Sequence, residues 1–257
     1  MLKIGLIDSG MGGLSVLKGL IENNVNAEYH YLYDNKYHPY GSKSESELVA
    51  IGYSNMKKLL DIGVNIIIIA CNTLTSRAID KLRLMFDNIP IVGVEPPIKP
   101  ATLKCDNILL LATPATLKSD RVVDMIHNNT NKNFYFPDMS CLANMVENNY
   151  ENKKIIYDFL TESLKKYTNI EGVVIGCTHY NFVVPELKKL FPNCQIFSNI
   201  DGVVKRTKYI INKNNFENSS YLQIKLYLTG KDLSIEKKYY ICRYLDFGTQ
   251  FTCQNQD

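Results

Sequence analysis

Two cysteines stand in matching places, and both could do chemistry. Ile66 to Ser76 reads I-I-I-I-A-C-N-T-L-T-S, and Gly172 to Tyr180 reads G-V-V-I-G-C-T-H-Y. Each is a short β-branched run of the kind buried on both faces of a parallel sheet. Each ends in Cys followed by small polar residues, Cys71-Asn72-Thr73 and Cys177-Thr178-His179. Open α/β sheets bind ligands at the carboxyl ends of their strands. Two thiols brought to one such site suit a two-base reaction. One removes a proton from one face of a carbon and the other returns a proton to the opposite face, which is racemisation or epimerisation. A thiol serves as the base if helix N-termini or cations bring its pKa down to near 7. His179 and Asp8 are placed to carry or relay a proton, and Ser9, Asn72, Thr73 and Thr178 are compact donors for a carboxylate. Taken singly, a strand-end cysteine is more often packing than chemistry. The repeated context argues otherwise.

The elements that must position these residues follow from pattern. Leu2 to Ile7 is a strand, Asp8-Ser9-Gly10-Met11-Gly12-Gly13 a glycine-rich turn, and Leu14 to Glu22 an amphipathic helix. The glycines are too close together for G-x-G-x-x-G, so a dinucleotide site is poorly supported. Strands are expected at Glu28–Tyr33, Ile91–Val94, Asn107–Leu111, Asn133–Phe136, Gln195–Phe197 and Tyr221–Leu228. Helices are expected at Glu45–Leu60, Thr75–Phe86, Leu117–His127, Leu142–Glu147, Glu151–Tyr167, Pro185–Leu190, Asp201–Ile211 and, last, Leu233–Leu245. Glu95 to Pro100 is proline-rich and reads as a linker or hinge. The first strands of two half-chains start near Ile4 and Ile108, 104 residues apart, and the two cysteines are 106 apart. This echo implies two similar, mostly parallel α/β domains with the active site in the cleft between them.

Composition narrows the rest. At 46% hydrophobic and 21% charged residues the chain is ordinary globular protein. A net charge of +3, from scattered lysines, makes no case for nucleic acid or a membrane surface. No apolar run reaches the ~18 residues of a membrane span. Met1-Leu2-Lys3-Ile4-Gly5 enters a strand at once and lacks the look of a signal peptide, so the expectation is cytoplasmic. Seven widely spaced cysteines with no C-x-x-C suggest neither a disulfide framework nor a zinc site. No lysine has the setting of a Schiff-base site, so no cofactor is expected.

The motifs together resemble the glutamate racemases of the cofactor-independent aspartate/glutamate racemase family. The resemblance is carried by I-G-L-I-D-S-G-M-G-G-L-S-V-L at 4–17, P-Y-G at 39–41, A-C-N-T at 70–73, V-G-V-E-P at 92–96, A-T-P-A-T-L-K-S at 112–119 and G-C-T-H-Y at 176–180. Leu228-Thr229-Gly230-Lys231-Asp232 matches the family's closing strand and turn. The resemblance implies that Cys71 deprotonates D-glutamate with support from Asp8. It implies that Cys177 deprotonates L-glutamate with support from His179 and Glu147. Substrate contacts fall on Asp8, Ser9, Tyr40, Gly41, Asn72, Thr73, Thr178 and His179. It also implies a first domain of 1–97 plus 210–257, a second of 98–209, a homodimer, and D-glutamate supplied for peptidoglycan. Asn181 departs from the family's usual proline, Val183-Val184-Pro185 from its leucine-rich continuation, and Ser140-Cys141-Leu142 from its proline and glycine. The other readings are an aspartate or other small-acid racemase, a non-catalytic amino-acid binder and, more remotely, a redox dithiol.

Overall fold

The computed structural model describes residues 1–217, 219 and 222–246, and the backbone alone of 251–255. The described residues hold ten strands: β1 Lys3–Asp8, β2 Glu28–Tyr33, β3 Ile66–Ile69, β4 Ile91–Gly93, β5 Asn107–Ala112, β6 Asn133–Tyr135, β7 Gly172–Gly176, β8 Gln195–Phe197, β9 Gln223–Leu228 and β10 Phe251–Asn255. They form a six-stranded sheet, β10-β9-β2-β1-β3-β4, and a four-stranded one, β6-β5-β7-β8. Every pairing is parallel.

The echo in the sequence is an echo in topology. The order β2-β1-β3-β4 repeats as β6-β5-β7-β8. Each cysteine therefore follows the strand that lies beside the first strand of its own half. β-branched residues put these strands at the centre, because they pack on both pleated faces. In β1 and β3, Ile4, Leu6, Ile66 and Ile68 belong to one buried cluster, while Ile7, Ile67 and Ile69 belong to another on the opposite face.

The helices depart from expectation where local chemistry decides. The helix after β3 begins at Asn72, not Thr75, with Cys71 itself at the N-cap. One helix expected at Leu117–His127 is two, Pro114–Leu117 and Asp120–His127. Thr113 caps the first by accepting from the Thr116 N–H, and Pro114 stands at its start, where no intrahelical N–H is required. The proline-rich stretch is not all linker, since Ile98–Thr102 is helical. Pro100 fits because it lies in the first turn, whose N–H groups have no intrahelical partner. The expected last helix is followed by β10, which pairs with β9. Tyr221, expected to open a strand, and the side chain of Cys253 lie outside the described residues. Helix Ile200–Lys213 runs unbroken through position 210, where a domain boundary was expected, and packs on helix Leu14–Glu22.

Candidate active site

A cavity of about 230 Å³ lies at the carboxyl ends of β1, β3, β5 and β7, and both Cys71 and Cys177 line it. Ser9, Tyr40, Gly41, Asn72, Thr73, Thr178 and His179, all expected at the site, line the same cavity. Asp8 and Glu147 do not. They stand behind the wall, buried, each hydrogen-bonded to a residue that forms it.

On one side, Cys71 ends β3 and caps the next helix. Burial pushes its thiol well above the usual range, and the charge of Asp8 pushes the same way. Helix N–H groups of Leu74 and Thr73 oppose this without winning. The expectation of a thiol brought down to near 7 fails here, because desolvation outweighs one turn of helix dipole. Asp8 Oδ1 accepts from the Gly10 N–H at 2.9 Å, and Oδ2 from the Thr178 hydroxyl at 3.0 Å. Burial nevertheless raises its carboxyl to about 7, against the pull of His179 and these hydrogen bonds.

On the other side, Cys177 follows β7 directly and caps the 3-10 turn that carries His179. Burial works against a charged His179. Its hydrogen bonds with Cys177 and Glu147, and the charges of Cys177 and Asp8, outweigh that and hold its pKa well above the ordinary imidazole range. His179 Nε2 lies 2.9 Å from Glu147 Oε2, which also accepts from the Met11 N–H at 2.9 Å. Glu147 Oε1 takes hydrogen bonds from the Tyr33 hydroxyl and the Lys237 ammonium. Lys237 also donates to the Glu147 carbonyl at 2.9 Å and sits over the rings of Tyr33 and Tyr150. Burial alone would raise the Glu147 carboxyl, but the two cations together hold it well below the carboxylate range.

The glycine-rich turn has its explanation in this cluster. A Cβ at Gly10 would overlap Glu147 Oε2, and one at Gly12 would overlap His179 Nδ1 and Thr178 Oγ1. The turn is bare because side chains from the other half are seated on it.

Several expected donors are already engaged. Asn72 Nδ2 donates to the Val94 carbonyl at 3.3 Å, and its Oδ1 accepts from Asn199 at 2.9 Å. Thr73 Oγ1 lies 3.0 Å from Thr113 Oγ1. The Tyr40 hydroxyl donates to buried Asp34 at 2.5 Å. Asn181 uses the amide that proline lacks. It donates to Ser15, Thr178 and Asn199 and accepts from Ser198, tying the loop behind Cys177 to both halves.

Sequence reasoning missed the wall residues His38, Thr113, Pro114, Ser140, Ala143 and Asn144, and Lys237 behind the wall. Thr113 was findable, since the 104-residue echo maps Ser9 onto it. Lys237 carried no local signal, because it comes from helix Ile235–Leu245, far along the chain.

The family model described as Asp/Glu/Hydantoin racemase matches residues 26–206. The glutamate racemase of Leptospira borgpetersenii (serovar Hardjo-bovis) is 41% identical over 210 residues, 79% of this chain and 80% of the relative. That of Aliarcobacter butzleri is 35% identical over 239 residues, 89% and 91% of the two chains. The crystal structure of the Francisella tularensis glutamate racemase in complex with D-glutamate superimposes with a TM-score of 0.83 at 25% identity, over 100% of this chain and 97% of that one. Most of the chain matches the family, and the relatives match it over most of their own length, so the chain belongs to the Asp/Glu/hydantoin racemase family.

Proposed function

We propose that this protein interconverts L- and D-glutamate by two-base proton transfer, Cys177 working on the L enantiomer and Cys71 on the D. The observation that carries this is the single cavity walled by both sulfurs. The relatives at 33–41% identity are glutamate racemases, which favours glutamate over aspartate.

In the L to D direction, the Cα–H bond breaks and its electron pair stays on the substrate. The proton passes to Cys177 Sγ, beside the His179 imidazolium. Cys71, whose thiol burial keeps protonated, delivers its own proton to the opposite face of Cα. Asp8, close to half-ionised near neutral pH, then restores the proton on Cys71, and solvent returns a proton to Asp8 and takes up the one left on Cys177 Sγ. Glu147 and Lys237 act on His179, the one by hydrogen bond and the other by holding Glu147 charged. Ser9, Tyr40, Gly41, Asn72, Thr73, Thr178 and His179 form the walls that grip the acid. A buried, preorganised polar wall stabilises charge developing at Cα better than water does.

We also read the two sheets as cores of two domains. The crossing back to the first lies near Asn199 rather than at 210, because helix Ile200–Lys213 packs on the first half. The Glu95–Pro100 segment is one crossing, and closure about it would dry the cleft. D-glutamate for peptidoglycan and a homodimeric assembly fit this reading.

The test is solvent deuterium. L-glutamate incubated with the protein in heavy water should yield D-glutamate carrying deuterium at Cα. Cys71→Ala and Cys177→Ala should each abolish racemisation, and unchanged turnover in either variant would sink the mechanism. A panel with L-aspartate in parallel reads the substrate directly.

A further inference from the structure

His38, in the cavity wall, is unused by the reaction. His38 precedes Pro39 in the loop after β2, and its ring lies 5.8 Å, centroid to centroid, from that of His179. Neither of its buried ring nitrogens makes a well-formed hydrogen bond to a described residue. Burial pushes its pKa below the ordinary imidazole value, and His179 and Lys237 act in the same direction against Glu147 and the Ser9 backbone. A neutral imidazole carries a lone pair. Across from it stand His179 and Glu147. One ligand atom from each of the three residues lies within 4.8 Å of the other two. Zinc with one open position takes two imidazoles and one carboxylate at about 2.0–2.2 Å. In a tetrahedral site such atoms stand about 3.4 Å apart, so His179 and Glu147 would part a little from 2.9 Å while no pair starts beyond 4.8 Å. Imidazole donors favour zinc, nickel or cobalt over magnesium or calcium.

We propose that His38, Glu147 and His179 form a binding site for a divalent transition cation of the zinc type on the Cys177 side of the cavity, and that the bound cation shuts the site down. The second half rests on the racemase reading and the first does not. His179 cannot both ligate a cation through Nε2 and keep its present bond to Glu147 Oε2. One feature keeps the site weaker than a dedicated zinc centre: Lys237 places an ammonium on the other oxygen of Glu147. A reversible, inhibitory site is what such a compromise produces.

The rival for the same cation is the thiol pair, Cys71 and Cys177, in the same cavity. Calorimetric titration of the full chain with Zn²⁺ separates the two. Wild type should bind one equivalent. His38→Ala and the closer mimic His38→Gln should each weaken binding by at least about tenfold, since even an outer partner of a metal ligand is worth that much. The double variant Cys71→Ser/Cys177→Ser should retain the wild-type affinity. Far-UV circular dichroism of each variant checks that it is folded. Undiminished Zn²⁺ binding in both His38 variants, or binding lost only with the thiols, overturns the site. Zn²⁺ should also stop wild-type racemisation, with chelator restoring it. Binding that depends on His38 without any effect on turnover overturns the inhibitory half alone. Binding by a protein that never racemises glutamate leaves the cation site standing and removes the racemase reading.

Discussion

The two sides of the cavity share a topology and differ in their electrostatics. Each presents a cysteine just beyond the strand that pairs with the first strand of its half. Behind Cys71 stands a buried carboxyl with a raised pKa, with no ion pair to it among the described residues. Behind Cys177 runs a chain of alternating charge, His179, Glu147 and Lys237. Strand order places each thiol, and the residues packed behind it set the charge it faces.

The sharpest way to break this contrast is to neutralise each side in turn. His179→Asn should lower kcat/KM by roughly 10²–10⁴-fold, the usual worth of acid–base assistance. The fall must be equal for both enantiomers, because they have equal free energies. The asymmetry shows instead in the substrate deuterium isotope effect. It should grow more with L-glutamate in His179→Asn and more with D-glutamate in Asp8→Asn. If both variants slow cleavage on the same face, the two sides do not have separate roles.

Next in size is Lys237→Met, which leaves Glu147 buried without its ammonium. Breaking one partner of a buried pair costs about 3 kcal/mol. Urea unfolding should show that loss, and Lys237→Arg should recover much of it. A loss within error would place Lys237 outside the charge chain.

Gly12→Ala follows. Overfilling a packed contact costs about 1–3 kcal/mol. Here the clash falls on His179 and Thr178, so kcat should drop while circular dichroism stays native. Gly202→Ala is its control, because an added Cβ there meets nothing within 4 Å.

The last test is a pH slope. Folded Asp8 holds its proton up to about 7, whereas an unfolded aspartate releases it near 3.8. Between those values the folded state binds more protons, so this group's contribution to stability falls as pH rises. Asp8→Asn should remove that part of the slope. Across the window the difference between wild type and variant should reach at least about 1.4 kcal/mol, the worth of one pKa unit. Parallel stability curves would show that Asp8 titrates normally.

How far the sequence could be read depended on range. Strands β2 and β8 were legible to the residue because alternation and flanking turns are local signals. Cys71 and Cys177 were legible as a pair because the repeat marks them twice. The helix start at Asn72 was missed because Asn72-Thr73 reads as loop chemistry until a buried strand supplies Cys71 as its cap. Lys237 and His38 were invisible for a different reason. A lysine on a polar helix and a histidine in a Pro-Gly loop acquire roles only once the chain closes around Glu147. The lowered thiol pKa was inferred from helix placement, and burial reversed it at Cys71.

The bare turn at Gly10 and Gly12 has a consequence for how this enzyme can change over time. It is a mould cast around Thr178, His179 and Glu147, which come from more than 130 positions later in the chain. Recombination that grafts one half onto a foreign partner would press unmatched surfaces together at the most sensitive point. Viable chimeras should therefore inherit the turn and its three occupants as one unit, and lineages should alter them together or leave them alone.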